Sequence, residues 1–571
     1  MCPNDDIVAR RASSRRRMTL FGTGVQLIVV VILVVFGSAT REVDAAWTSQ
    51  GAVDPSTPAN GNMFAMEGVA ISGDLAIVGE PMRQVNGVQN TGATYALKHS
   101  SGTWSAPVPL TPTSITGGEH LGIAVDIDGY YAVVSAQNDN DGSAVHAGAA
   151  HVFVYNAGTQ AWTASAKLVA STRNSGDSFG SDVAISGDTI VIGAPNRVNG
   201  EVITFEYSGG SWSRQTAIVP TDLSGNDSFG NGVAIDGNTM IVGCNAQNSG
   251  AGAAYIYTRS SATAAWGQQQ KITLSGADAS NYEEFGARVA VSGDTVAIVS
   301  SRTATNAFGA VFVYTRTSGS WSQQTVITPP TGAVEFGDSM ALDGDLIVAG
   351  APDTDLTTGN AEGAAYVFQR DSSGNWNQLV RLEAHDGSSA NTQSNAAFGS
   401  AVGIHGNTVI VGARGYSSNS GRAYIYQDAS VTNNGPSANC DASTAPTNGG
   451  VGDCTNSLAS GSTCQPTCDS GYTVSGTSSC SAGTLTAATC SANACDASTA
   501  PTNGGVGDCT SSLASGSTCQ PSCNSGYTVS GTSSCSAGTL TAATCDAPSP
   551  SPATRPRALV VLAITAVLVV A

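Results

Sequence analysis

Residues 179–195 read FGSDVAISGDTIVIGAP and contain the pattern that decides the fold. Two short apolar runs flank a Ser-Gly-Asp turn, and glycine in such a turn adopts the positive φ that a tight hairpin requires. The second run, 190–194, is continuously apolar rather than alternating, which indicates a strand buried on both faces. The stretch therefore predicts a β-hairpin whose second strand lies between two neighbouring sheets.

The same pattern occurs seven times. Each unit continues with a third strand that begins with small residues and ends with aromatic ones, such as 252–257, and with a fourth strand that begins at a Trp. Four strand signals at this period predict the blades of a β-propeller, hence an all-β fold. The units start at Phe64, Leu121, Phe179, Phe229, Phe285, Phe336 and Phe398.

The positions of the seven tryptophans predict how the ring closes. Six of them follow the first six unit starts, whereas the unit that begins at Phe398 has none after it and Trp47 precedes the first unit. We therefore expect the strand at 47–53 to pair with 421–427 and complete the seventh blade. Such closure joins the two ends of the ring and removes exposed sheet edges.

The Phe-Gly at the start of a unit and the Gly-Ala-Pro at the end of its second strand resemble the FG-GAP repeat, which builds the seven-bladed propeller of integrin α-chain ectodomains. Phe179-Gly180 with Gly193-Ala194-Pro195 is one of the two best matches, and the resemblance covers about 47–427. It implies a seven-bladed propeller and, in general terms, ligand binding at a cell surface. Many integrin repeats also carry an Asp-rich calcium loop between the first two strands, but the Ser-Gly-Asp turn here offers at most two carboxylates, too few for a calcium site.

Acidic loops do occur between the second and third strands of two units. Two interpretations are open. The loops are solvated turns, in which Asn, Asp and Gly favour the turn conformation, or they are weak cation or ligand sites. Calcium is the cation that such a site would bind, and no other cofactor is expected. The candidate ligands are Asp139, Asp141, Asp353 and Asp355.

The tail contains two near copies of one cysteine-rich module, at 440–490 and 495–545, after a linker at 428–439. With few large apolar residues in each copy, these modules need covalent support, so we expect disulfides and an oxidising compartment. The alternative is metal binding by the cysteines, although the region contains no His. The twelve residues are Cys440, Cys454, Cys464, Cys468, Cys480, Cys490, Cys495, Cys509, Cys519, Cys523, Cys535 and Cys545.

The spacing of Cys468, Gly471-Tyr472, Cys480 and Cys490 resembles the second half of a sushi module. Each copy departs from that module in having six cysteines rather than four and no Trp before the last cysteine. Spacing alone allows fifteen pairings in each copy. The resemblance implies Cys440–Cys480 and Cys468–Cys490, with Cys454–Cys464 as an additional bridge.

Both ends of the chain carry targeting patterns. An Arg-rich stretch, an apolar run and small residues predict a signal peptide over 1–39, cut at Ala39 or else Ala45, with an uncleaved signal anchor as the alternative. The propeller is then expected over 46–427. At the other end, 546–571 combines a Pro/Ser-rich spacer with a short apolar tail, which is typical of a GPI-anchor signal; a short membrane helix is the alternative.

Composition excludes some functions. The formal net charge of −19 disfavours nucleic-acid binding. No metalloprotease helix, nucleophile elbow or phosphate loop is present, so we do not expect an enzyme.

Single residues add three expectations: glycosylation at Asn226 within Asn-Asp-Ser, a buried free thiol at Cys244, and unusual positions for His151 and His405, where other units have Tyr, Ser or Asp.

The sequence favours a membrane-anchored recognition or adhesion protein on the extracellular face of the plasma membrane, which binds a protein or glycan through its propeller loops. The alternatives are a lectin-like propeller, a structural coat protein and, least favoured, an enzyme on a propeller scaffold.

Overall fold

The repeats fold into seven antiparallel sheets whose innermost strands contact one another in a closed circle. The structure is a computed structural model that describes residues 47–55, 58–112, 114, 117–140, 144–198, 200–261, 264–303, 309–356, 360–386, 389–390, 394–428, 440, 442–454, 458, 463–481 and 484–549. The predicted signal peptide, residues 429–439 of the predicted linker and the apolar tail lie outside the described residues. Among the described residues, no helix combines the length and the apolar character needed to cross a bilayer.

Each blade follows the order of its four strands from the axis outward. The innermost strands are Val69–Ser72, Leu121–Asp128, Val183–Ser186, Phe229–Asp236, Tyr282–Ser292, Met340–Asp343 and Phe398–His405. The second strands are Leu75–Glu80, Tyr131–Ala136, Thr189–Ala194, Thr239–Cys244, Thr295–Thr303, Leu346–Ala351 and Thr408–Ala413. The third strands are Ala93–Ser100, Ala149–Asn156, Glu201–Ser208, Ala253–Thr258, Ala310–Thr317, Ala364–Arg370 and Arg422–Gln427.

The outer strands belong to the blades unequally. Blade 1 has two short pieces, Thr103–Trp104 and Val108–Leu110, and blades 2 to 6 have one strand each. These five are Ala161–Leu168, Ser211–Arg214, Gly267–Ile272, Ser320–Ile327 and Trp376–Leu382. Short helical segments at Gln247–Gly250, Gly276–Asn281 and Tyr416–Asn419 and a small hairpin, His385–Asp386 with Ser389–Ala390, lie in the connecting loops.

The predicted closure is confirmed. The outer strand of blade 7 is Thr48–Val53, which pairs antiparallel with Arg422–Gln427 from Thr48 opposite Gln427 to Val53 opposite Ala423. The apolar core also continues across this junction, because Phe64 and Tyr95 of blade 1 share one buried cluster with Ile410 and Ile425 of blade 7.

Glycine contacts between neighbouring blades explain the repeated sequence pattern. A Cβ on Gly193, at the end of a second strand, would lie 2.0 Å from the carbonyl oxygen of Gly230, which follows Phe229 in the next blade. The same approach joins Gly79 to Gly122, and at the ring closure Gly412 approaches the carbonyl oxygen of Ala65. Only a residue without a side chain allows the two backbones to come this close.

The cysteine-rich modules have small sheets and few apolar residues. The first contains Gly449–Gly450, Thr463–Cys464, Thr467–Cys468, Tyr472–Val474, Ser478–Ser481, Thr484–Thr486 and Cys490–Ala492. The second contains Gly504–Gly505, Thr518–Cys519, Ser522–Cys523, Thr528–Val529, Ser533–Ser536, Thr539–Thr541 and Cys545–Asp546. In both copies the buried cluster consists mainly of cysteines, with one buried leucine, Leu458 or Leu513.

All twelve module cysteines are in disulfides, in the pairing that the sushi resemblance implied. The first copy has Cys440–Cys480, Cys454–Cys464 and Cys468–Cys490, and the second repeats them as Cys495–Cys535, Cys509–Cys519 and Cys523–Cys545. Cys244 is free and fully buried, as expected, and burial raises the pKa of its thiol to about 12.

The ring closure can be tested at Gly412. In Gly412→Ala the new Cβ would stand 2.1 Å from the carbonyl oxygen of Ala65, so blades 7 and 1 must separate. We expect a loss of about 2 kcal/mol or more in the free energy of unfolding, measured by chemical denaturation. Gly225→Ala is the control, since its nearest neighbour would be 3.9 Å away. Equal stability of the two variants would contradict the close contact.

Candidate functional site

The two faces of the propeller differ in their connections. On one, here called the turn face, the first and second strands of all seven blades are joined by two-residue turns. On the other, the loop face, the connections from the second to the third strand range from six residues at 195–200 to twelve at 81–92. A surface built of varied loops on a rigid scaffold is the usual place for binding residues.

The turn face is held by side chains at the ends of the innermost strands. Asp128 accepts a hydrogen bond from the backbone N–H of Gly187 in the next blade at 2.7 Å, and Ser186 accepts one from Gly237 at 3.0 Å. Ser72, Asp236, Ser292 and Asp343 accept equivalent bonds from Gly129, Gly293, Gly344 and Gly406. Serine and aspartate alternate from blade 1 to blade 6, and each links its blade to the next, whereas His405 occupies the equivalent position in blade 7.

Two further aspartates line the axis. Asp126 accepts the N–H of Ile185 and Asp182 that of Val233, both at 2.8 Å and both from the following blade. The side chain of Asp126 is half-buried, and the protein around it disfavours the charged form, which raises the pKa of its carboxyl to about 7. Burial likewise raises the pKa of Asp182 and of Asp236 to about 6. These carboxyl groups already have backbone partners, so the axis contains blade-to-blade links rather than an assembled acid–base pair.

On the loop face, several blades bring together a tyrosine, a carboxylate and a cation. In blade 1 the Tyr95 hydroxyl donates to Glu80 at 2.7 Å, and Arg83 contacts both. In blade 4 the Tyr255 hydroxyl contacts Asp222, which is ion-paired with Lys271. The tyrosine hydroxyl thus completes a hydrogen-bonded ion pair at the rim of the blade.

The acidic loop of blade 2 forms such an ion pair. Asp139 is fully buried, with Lys167 Nζ 2.7 Å from one carboxylate oxygen and Arg173 Nη2 2.6 Å from the other. Two cations at these distances compensate the carboxylate and repel a metal ion. Asp139 therefore fits an internal ion pair better than the cation site that the loop sequence also allowed.

The other predicted ligands are not brought together. Asp355 is exposed and accepts the backbone N–H of Ala361, and Asp353 belongs to no group of three ligand side chains among the described residues. Asp141 lies outside those residues. Within the described part of the chain, the only triads with metal-ligand spacing are Asp453 and Asp508, each with two cysteines that are already disulfide-bonded. Asn226, the predicted glycosylation site, is exposed on the loop face between blades 3 and 4.

Three exposed valines also lie in the connections from the second to the third strand, one in each of the first three blades. Val88, Val145 and Val198 are 46%, 51% and 87% exposed. The sequence pattern did not identify these valines, because a valine in a loop is not part of a periodic pattern. It did not identify the axial aspartates either. The alternation of Ser-Gly and Asp-Gly at the turns, however, is visible in the sequence.

The axial carboxylates make stability depend on pH. Since the pKa of Asp126 is higher in the folded chain than the value near 3.9 of an unfolded one, the folded state binds more protons between these two values. The free energy of unfolding therefore falls as pH rises from about 4 to about 7. Because the folded pKa of about 7 lies two units above pH 5, the stability of Asp126→Asn relative to the wild type should be about 2–3 kcal/mol higher at pH 8 than at pH 5. Thermal unfolding at both pH values measures this; the exposed Asp294→Asn should change stability equally at both, and an Asp126→Asn effect that is the same at both would contradict the assignment.

The ion pair of blade 2 gives a second prediction. Asp139→Asn leaves Lys167 and Arg173 without their carboxylate, which should cost about 3 kcal/mol in denaturant unfolding. Asp355→Asn, in the other acidic loop, should change stability little. A wild-type unfolding midpoint that rises with added calcium, and no longer rises in Asp139→Asn, would instead support a cation site.

Comparison with known proteins agrees with the repeat pattern. The FG-GAP repeat family matches residues 104–153, 162–205, 212–257, 266–314, 321–368 and 376–426. Each match runs from the tryptophan of one outer strand to the third strand of the next blade, so the unit of sequence is offset by one strand from the blade. With the repeat counted in this way, the first repeat is the unmatched stretch from Trp47 through the third strand of blade 1. The strand that begins this repeat, Thr48–Val53, is the outer strand of blade 7.

No match was found among curated proteins. Similar solved structures include a protein from Lactobacillus plantarum, with 14% identity over 55% of this chain and 83% of that one and a TM-score of 0.36. A chain of the mitotic checkpoint complex has 12% identity over 66% of this chain and 94% of that one, with a TM-score of 0.40. Sqt1 of Saccharomyces cerevisiae has 10% identity over 64% of this chain and 83% of that one, with a TM-score of 0.35. The family matches cover about half of the sequence and six of the seven repeats, and the chain belongs to the FG-GAP repeat family.

Proposed function

We propose that this protein is a non-catalytic recognition or adhesion protein, anchored at the extracellular face of the plasma membrane, that binds its ligand through the loop face. FG-GAP propellers are of the ligand-binding or adhesion type. The observation that carries the proposal is the difference between the two ends of the second strand. A two-residue turn joins it to the first strand in all seven blades, whereas six to twelve residues join it to the third strand, with an exposed valine in three of these loops. Uniform turns suit a scaffold, and varied loops suit recognition.

The disulfides support an extracellular location. Six bridges in two small modules with few apolar residues persist only in an oxidising compartment. In this proposal the modules form a protease-resistant spacer between the propeller and the membrane, and the apolar sequence at 558–571 directs attachment of a GPI anchor. A glycan on Asn226 would lie on the loop face.

Release by a phospholipase tests the anchor. Cells that express the full chain, treated with phosphatidylinositol-specific phospholipase C, should lose most of the surface protein to the medium, as measured by surface biotinylation and immunoblotting. A chain that ends at Arg557 is the matched control, because it lacks the apolar tail and should be secreted without treatment. Protein that stays in the membrane after phospholipase treatment would indicate a membrane helix, and protein found inside the cell would contradict the proposal.

A further inference from the structure

One backbone contact near the turn face is repeated in all seven blades. The carbonyl oxygen of the second turn residue accepts the backbone N–H of a residue at the end of the third strand, at 2.7 to 3.1 Å. Because this contact fixes the register, the side chains of each pair occupy equivalent places in the ring. The pairs are Asp74 with His99, Tyr130 with Tyr155, Asp188 with Tyr207, Asn238 with Arg259, Asp294 with Arg316, Asp345 with Arg370 and Asn407 with Asp428.

Five of the first six blades place a basic side chain on an aromatic ring here. In blades 4 to 6 it is the arginine of the pair, whose guanidinium carbon lies 4.5 to 5.6 Å from the ring centroid of the outer-strand tryptophan. Its Nε also donates to the side-chain oxygen of the turn residue at 2.6 to 2.9 Å. In blade 1, His99 packs on Trp104 and lies 3.3 Å from Asp74, and in blade 2, Lys98 lies 5.4 Å from the ring centroid of Tyr155. This place in the fold therefore suits a cation on an aromatic face.

Blade 3 keeps the carboxylate and the aromatic rings of this arrangement, but its pair contains no basic residue. Tyr207 replaces the arginine and packs on Trp212, with ring centroids 5.2 Å apart. Tyr131, from blade 2, packs on these two rings at 5.6 and 5.9 Å. Asp188 is the turn residue, and within the described part of the chain its carboxylate has neither a hydrogen-bond donor nor a salt-bridge partner.

The group is open to solvent. Asp188, Tyr131, Tyr207 and Trp212 are each partly exposed, and Tyr130, next to Tyr131 in the chain, is 38% exposed. Partial burial raises the pKa of the Asp188 carboxyl to about 6, so it is mostly ionised at neutral pH. Its charge acts on the rings: after burial and the hydrogen bond with Tyr207, it is a further cause that raises the pKa of Tyr131. A cation that approaches this surface meets a negative charge and aromatic faces together.

We infer that the turn face of blade 3 binds an arginine side chain of a partner protein. The guanidinium would pair with Asp188 and stack on the exposed part of the Tyr207 or Trp212 ring. It would repeat, from outside, the contact that the chain's own Arg316 makes with Asp294 in blade 5. Because this surface is on the turn face, it is a second binding site, separate from the proposed ligand site among the loops.

Charge and shape together favour arginine as the ligand. An anion is repelled by Asp188, and the formal net charge of −19 attracts basic partners to the whole protein. A planar guanidinium can stack on a ring and donate to a carboxylate at the same time, whereas the compact ammonium of lysine does the second better than the first. A neutral sugar ring could stack here but would leave the carboxylate uncompensated.

The experiment is calorimetric titration of the full chain with acetylated, amidated tri-arginine, and with tri-lysine for comparison. We expect tri-arginine to bind more tightly than tri-lysine, and Asp188→Asn to weaken its binding about fivefold or more. Asparagine stands at the same turn position in blades 4 and 7, so this variant should fold. Asp294→Asn is the matched control: its carboxylate is already paired with Arg316, so the variant should bind as the wild type does.

A second variant supplies the cation from within the chain. Tyr207→Arg restores the residue that blades 4 to 6 have, so its guanidinium should pair with Asp188 and block tri-arginine. The unfolding midpoint of this variant should equal or exceed that of the wild type, which separates a blocked site from a misfolded one. Asp188→Asn, Tyr207→Arg and Asp294→Asn all raise the net charge by one, so a general attraction to the acidic protein would weaken in all three alike.

Three results would overturn the inference: tri-arginine does not bind, the three variants weaken binding equally, or tri-lysine binds as tightly as tri-arginine. Binding of N-acetyl-D-glucosamine that is lost in Asp188→Asn, without binding of tri-arginine, would also overturn it and indicate a saccharide site. None of these results affects the phospholipase experiment, so failure of this site is distinguishable from failure of the proposed function.

Discussion

Backbone contact between glycines of adjacent blades is the constraint on which the ring depends. Gly193 approaches the carbonyl of Gly230 so closely that no side chain fits, and the junction of Gly412 with Ala65 repeats the approach where the ring closes. Where the second-strand glycine is replaced, as by Ser135 or Val299, the replacing side chain packs against the glycine of the next blade. The glycines of the family's sequence pattern are thus required by the short distance between neighbouring blades rather than by the fold of any one blade.

Carboxyl groups reinforce the same junctions, although burial disfavours their charged forms. Asp126 and Asp182 each hold a backbone N–H of the next blade, and alternating serine and aspartate side chains do so at the turn face. Burial of these carboxyl groups raises their pKa, which means that the charged forms are poorly solvated inside the ring. The aspartates link neighbouring blades along the axis, whereas the loops of the opposite face differ in length from blade to blade.

The two parts of the chain reach stability by different means. The propeller buries apolar clusters between neighbouring blades, whereas each cysteine-rich module has one buried leucine and three disulfides. A rigid head with variable loops and a covalently stabilised tail are consistent with a protein that works outside the cell. Within the head, blade 3 stands out because its turn carboxylate, Asp188, has a tyrosine where blades 4 to 6 have an arginine.

The sequence by itself determined the number of blades, the closing role of Trp47 and its strand, and the class of the tail, because these follow from patterns repeated in order along the chain. The resemblance of the tail to a sushi module also predicted the disulfide pairing, whereas the spacing of the cysteines alone could not choose among the possible pairings. The site was less accessible: Asp139 read as a possible cation ligand, since its partners Lys167 and Arg173 lie 28 and 34 residues away and only the fold brings them to it. The buried nitrogen of His151 and the axial positions of Asp126 and Asp182 were likewise decided by tertiary structure, because hydrogen bonding and burial depend on neighbours from other strands and other blades.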